Sequence, residues 1–178
     1  MSLLHTLFGI GERDAPPVEA ASTRSVARII ETLDHLPVET ARYVAAFAYV
    51  MGRVAHADED ISDVEADKMR QFVRRLAHLP DDQASLVVDI AQNQTRLFGS
   101  TEDFLVTREF AKLSDRKQRL ELLDCLFAVS AADDSISNVE ETSIRQIASE
   151  LGFDDREYVA ARSAWNDKRD VLKDLPDA

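Results

Sequence analysis

Six carboxylates, Asp58, Glu59, Asp60, Asp63, Glu65 and Asp67, crowd into ten consecutive residues with no lysine or arginine among them. Farther along, Asp133, Asp134, Glu140 and Glu141 repeat the crowding more mildly. Carboxylates packed this closely repel one another unless something positive stands between them. A hard divalent cation (Ca2+, Mg2+ or Mn2+), held by carboxylate and carbonyl oxygens, is one such neutraliser. A basic partner is another. The same aspartates would also serve as Asx-turn formers on a solvated face, with no ligand at all.

The two acidic stretches belong to an internal repeat. VAHADEDISDVEADKMRQFVRRL, residues 54–76, aligns without gaps to VSAADDSISNVEETSIRQIASEL, residues 129–151, an offset of 75 with ten of 23 positions identical. Both copies read as a buried helix, an acidic turn and an amphipathic helix. Ser62 with Glu65, and Ser137 with Glu140, have the spacing of capping boxes, in which serine caps the first turn and glutamate reaches back. Ile61, Val64, Ile136 and Val139 are expected to bury the two helix starts. Folding thus explains the serines and glutamates. Asp58 and Asp133 are different, because each follows a buried helix whose terminal carbonyls already carry partial negative charge. The turn would bring Asp58 near Glu65, and Asp133 near Glu140. DEDIS opens like an EF-hand loop, but Asp63 stands where that loop needs Gly and Met69 where it needs Glu.

The elements that must position these groups are helical. Apolar residues recur at three and four positions, as in Met69, Phe72, Val73 and Leu76, or Ile144, Ile147, Ala148 and Leu151. Residues 43–54 and 120–132 are apolar nearly all round, which places them at the centre of a bundle. The spacing predicts further helices over 22–35, 62–79, 81–98, 101–113, 137–151 and 154–171. The fold class is therefore all-α: one domain of about seven to nine helices, built from duplicated helical hairpins with pseudo-two-fold symmetry. Residues 1–10, with Leu3, Leu4, Leu7 and Phe8 on one face, form a short amphipathic segment that either packs back on the bundle or docks elsewhere. Residues 11–21 are a flexible link and 22–175 the helical domain, its repeat halves at about 38–79 and 114–151.

Composition narrows the function classes. With 33 acidic and 21 basic residues the net charge is −12, which opposes binding to nucleic acid and association with anionic membranes. The longest apolar run, residues 43–51, is far short of the roughly 20 residues of a bilayer span. One cysteine and no evident secretory signal lead to a cytoplasmic expectation. Paired E-x-x-H motifs of di-iron bundles are missing from the sequence, and His5, His35, His56 and His78 have no zinc-site spacing. Cys125, among Leu123, Leu126 and Phe127, reads as core rather than nucleophile. Gly52, inside a buried helix, points to a close helix crossing. Arg70 and Arg145 are expected to pair with acids of neighbouring helices, and Trp165 to seal the core. These features describe a non-enzymatic chain.

The pattern A-D-x-x-I-S-x-V-E, twice and around buried helices, resembles the TerB family of tellurite-resistance proteins, and is similar to domains at the front of membrane-anchored DnaJ-type co-chaperones. The likeness covers residues 38–165 and includes IRQIASELGF at 144–153. It implies an all-helical, pseudo-symmetric domain without known catalysis, with acidic clusters that hold divalent metal and an association with bacterial stress response. The family's acidic positions fall on Asp58, Glu65, Asp133 and Glu140. Where the family usually has Gly after the aspartate, Glu59 and Asp134 stand here. Gly adopts positive φ cheaply, so this departure argues against an identical turn. The function expected is a divalent-cation sensor or scaffold working with a protein partner. The alternative is a metal-independent, co-chaperone-like interaction domain that uses its acidic face.

Overall fold

The computed structural model describes residues 20–55, 61–94, 97 and 103–169. Among them lie eight α-helices: α1 (Ala20–His35), α2 (Val38–Ala55), α3 (Asp63–Leu76), α4 (Asp81–Gln92), α5 (Asp103–Leu113), α6 (Arg116–Ser130), α7 (Asn138–Glu150) and α8 (Asp155–Ser163). Short 3-10 turns follow at Ala131–Asp133 and Asn166–Lys168. No strand occurs among the described residues; one isolated parallel bridge joins Ile136 to Arg169. The all-α bundle expected from periodicity is the fold observed. The N-terminal segment, most of its link and the tail beyond Arg169 lie outside the described residues.

Polar caps write the helix starts. Ser62, Asp115, Ser137 and Asp154 each accept a hydrogen bond from the amide three residues on, and Glu65, Gln118, Glu140 and Glu157 each accept from the cap's own amide. Each such cap contributes about 1 kcal/mol. Two boundaries shift from the apolar pattern for this reason. Helix α6 begins at Arg116, because Asp115 caps a polar first turn that apolar counting passes over. Helix α2 begins at Val38, directly after Pro37, one turn before its apolar face starts. Helix α8 stops at Ser163, short of the expected 171, because the chain tightens into the 3-10 turn and then extends.

Helices α2 and α6 form the centre. Residues Val44 to Met51 of α2 are all buried, as are Leu122, Leu123 and Cys125 to Ala128 of α6. They pack on each other, and the amphipathic helices cross over: α3 lies on α6, and α7 lies on α2. Helices α1, α4 and α5 cover α2, while α8 leans on α6 and α7. Tyr43, Phe47 and Phe110 cluster under α5. Phe127 stacks on Trp165 at 6.3 Å between ring centroids and meets Tyr158 at 6.1 Å, so Trp165 seals the core as its spacing suggested.

Gly52 explains how closely α4 approaches. A Cβ at that position would stand 1.8 Å from Gln94 Oε1 and 3.7 Å from the Ala91 Cα, so the missing side chain makes the notch that Gln94 fills. Cys125 is fully buried, and burial drives its thiol pKa well up, with Asp124 and Glu121 adding to the effect. Among the described residues no helix is long and apolar enough to cross a membrane.

Candidate functional site

Each acidic turn ends in a capping box, and the boxes match atom for atom. Ser62 N and Oγ donate to Glu65 Oε2 at 2.8 and 2.6 Å; Ser137 N and Oγ donate to Glu140 Oε2 at 2.9 and 2.8 Å. The Ser62 hydroxyl and amide hold the Glu65 carboxyl below its usual range. Both glutamates are therefore structural through Oε2. Asp58 lies outside the described residues, and so does the side chain of Asp133. Of the four candidate ligands, the structure thus places Glu65 and Glu140, one in each turn. Among the described residues no three carboxylate, imidazole or thiol groups come together as a metal site.

Val64 and Val139 correct an expectation. They sit in the first turns of α3 and α7 and are 67% and 60% exposed. Ile61 and Ile136, just before the caps, do the burying: Ile136 is in the core and Ile61 packs against it. Residue 64 or 139 follows the serine cap by two, which turns its side chain outward while the residue before the cap turns in. Arg70 also departs from expectation, pairing with Asp67 of its own helix at 2.5 Å. Arg145 reaches Asp155 of α8 at 3.1 Å, as expected of a neighbouring-helix pair.

The second turn is neutralised from within the chain. Asp134 adopts φ 70°, the left-handed conformation that glycine takes most easily. The family-like turn geometry is thus compatible with aspartate here, and Lys168 Nζ reaches its Oδ1 at 2.7 Å. Lys68 Nζ crosses from α3 to donate to Ala132 O at 2.9 Å. Glu141 takes Arg169 on both oxygens, Nε to Oε2 and Nη2 to Oε1, each at 2.7 Å. Arg162 adds a third contact at 3.0 Å. Burial works against the Glu141 charge, but the two guanidiniums outweigh it and hold its pKa below the ordinary value. The backbone completes the closure, with Ile136 N donating to Lys168 O at 2.7 Å.

In the first half the residues at the matching sequence positions are uncharged. At the offset of 75, Glu141, Arg162, Lys168 and Arg169 become Ala66, Val87, Asn93 and Gln94. Among the described residues there is a neutral tie, Gln92 Nε2 to Ile61 O at 3.3 Å. Lys68, the lysine nearest Glu65 in sequence, helps lower the Glu65 pKa through its charge while its hydrogen bond goes to the second turn. As a home for a divalent cation, the second turn fits poorly, since ammonium groups already stand on Asp134 Oδ1 and Ala132 O. Among the described residues of the first turn, Glu65 is exposed and its Oε1 is outside the capping hydrogen bonds.

At the end of α2 lies a polar network that motif reading missed. Arg53 Nη1 donates to Glu150 Oε2 and to Thr107 Oγ1, both at 2.6 Å. Tyr49 donates to Asp103 Oδ1 at 2.8 Å, and burial, with that hydrogen bond, pushes its pKa up to about 12. Arg53 and Glu150 are 8% and 13% exposed and join α2 to α7 across the two halves. Burial disfavours the Glu150 charge, yet Arg53 holds its pKa below the usual carboxylate value. An arginine in the last turn of an otherwise apolar helical segment was the available signal.

No curated protein and no solved structure matches the chain. The family described as tellurite resistance protein TerB matches residues 43–163, which takes in both hairpins and both acidic turns and is well over half of the 178 residues. The chain belongs to the TerB family.

Proposed function

We propose that this chain is a non-catalytic TerB-family module whose first acidic turn takes a divalent cation, and that it acts as a sensor or scaffold for a protein partner in a stress-response setting. The observation that carries this reading is the unequal compensation of two otherwise matched turns. The second has its own lysines and arginines; the first has six acids in sequence, of which Asp67 pairs with Arg70, and uncharged residues at the sequence positions that match Arg162, Lys168 and Arg169. Asp58 and Glu65 would hold the ion through carboxylate oxygens, and the ion would supply the positive charge that fixes the angle between α2 and α3. Asp133 and Glu140 would contribute less, because their turn is already neutral. The buried thiol of Cys125 supports a non-catalytic role in a reducing, cytoplasmic compartment.

Thermal unfolding of metal-stripped protein with Ca2+, Mg2+ or Mn2+ titrated in tests this reading. Saturation at a hundred times Kd adds about 2.7 kcal/mol. Glu65→Gln and Asp58→Asn should abolish the rise in Tm, while Glu140→Gln should leave it. Glutamine also serves in a capping box, so the glutamate variants remove charge without removing the cap. A second reading, metal-independent docking of a protein, is favoured by Val64 and Val139, which recur in both halves and are both exposed. A Tm unchanged at millimolar ion would support that reading instead.

A further inference from the structure

We propose that the cleft between the second acidic turn and α7 is a receptor for an extended Lys-Arg segment of a partner protein, and that residues 166–169 of this chain are its resident, releasable occupant. The cleft lies in the other half from the cation site proposed above, and the two stand or fall separately. After Trp165 the chain makes one 3-10 turn and then extends, with Arg169 at φ −80° and ψ 122°. It bridges Ile136 in parallel, Lys168 O accepting from Ile136 N at 2.7 Å. Its two charges meet two carboxylates: Lys168 on Asp134 at 2.7 Å and Arg169 on both oxygens of Glu141 at 2.7 Å.

One main-chain hydrogen bond and two side-chain ion pairs hold the segment, contacts of the kind that also hold extended peptides in trans. Asn166 and Asp167 are exposed and contribute no apolar anchor. The apolar anchor lies upstream, where Trp165 stacks on Phe127, while Arg169 itself is buried beside the core residue Ile136. Its outer half is wet, Asp134 being 87% exposed and Lys168 34%. Arg162 stays on Glu141 when the segment leaves, so the vacated carboxylate is not stranded. A basic segment suits a chain of net charge −12.

The test uses the full chain and a fluorescein-labelled peptide AWNDKRDV, the sequence of residues 164–171. With the internal competitor weakened by Lys168→Ala plus Arg169→Ala, the peptide should bind at least about tenfold tighter than to wild type. Adding Glu141→Gln should cut that affinity by a similar factor, and a peptide with Ala-Ala in place of Lys-Arg should not bind. Equal affinity for wild type and variant, or binding indifferent to Glu141, overturns the proposal. Hydrogen exchange on wild type decides the matter even where the variant folds poorly. The Ile136 amide should exchange at least about a hundredfold faster than that of Ile147, through local opening. Equal protection at the two amides would mean the segment is a fixed staple, and the proposal fails.

Discussion

In the first half, helix α4 follows the capped hairpin for three turns and, among the described residues, reaches the acidic turn through the Gln92 carboxamide. In the second half, α8 is shorter and the chain comes back as a basic strap across Ile136, Asp134 and Glu141. The helix starts are interchangeable; what answers their charge is not. A duplicated hairpin fixes where the carboxylates stand, whereas their neutralisation is decided by residues 28 to 34 positions downstream. A motif kept in both halves therefore does not make two equal sites.

The seams between the halves differ in the same manner, and substitutions at paired positions sharpen the contrast. Phe127 and Gly52 are equivalent at the offset of 75. Phe127→Ala should cost about 3–5 kcal/mol, since it empties the space under Trp165 and Tyr158. Gly52→Ala should cost only about 1 kcal/mol, by pushing the Gln94 side chain out of its notch. Combined with Gln94→Ala it should become neutral or better, because alanine is the stronger helix former by about 1 kcal/mol. Urea unfolding midpoints measure all three. Equal costs at residues 52 and 127 would mean the halves are packed alike.

Next in size is the ion pair that only one seam possesses. Arg53→Ala leaves Glu150 nearly buried with neutral donors, Gln146 and Thr107, in place of the guanidinium, and should cost about 3 kcal/mol. The equivalent of Glu150 is the exposed Arg75, where Ala should cost under about 0.5 kcal/mol. Acid titration extends this comparison. Glu141 and Glu150 have folded pKa values below the ordinary 4.5, so the stability they contribute is complete above that value and is lost as pH falls through their folded pKa values. Unfolding free energy should hold steady down to about pH 5 and then decline. Glu150→Gln should make the decline shallower. A slope unchanged by that variant would place the acid sensitivity elsewhere.

The smallest effect should also be the most symmetrical. Ser62→Ala and Ser137→Ala each remove one matched cap and should each cost about 1 kcal/mol, equal within about 0.5 kcal/mol by thermal or urea unfolding. A marked difference would show that the strap, which runs beside Ser137 alone, takes part in capping.

The helices, the two capping boxes and the Gly52 crossing were legible in the sequence because each is a local pattern, a spacing of three or four residues or one missing side chain. The start of α6 was not, since Asp115 and Gln118 are polar and only their reciprocal hydrogen bonds mark the boundary. The outward turn of Val64 and Val139 was misjudged because apolar character was weighed without the rotation that the cap imposes. Least legible of all was charge compensation. Arg169 with Glu141, Lys68 with Ala132 and Arg53 with Glu150 join residues 28, 64 and 97 apart, and no short-range spacing announces such pairs. Within the candidate site, Glu65 and Glu140 were found from spacing, but their first duty, holding the helix starts, had to be separated from any duty toward a cation.

The most direct measurement is NMR of the full chain with substoichiometric Mn2+, followed by the paramagnetic broadening of backbone amides. The account predicts broadening that is strongest at Ile61 to Ala66 and weaker at the amides of Ile136 to Glu141, which the Lys68–Ala132 contact brings near, and recovery of the signals in Glu65→Gln. Broadening of both turns to the same degree, of the second turn alone, or of neither would contradict it.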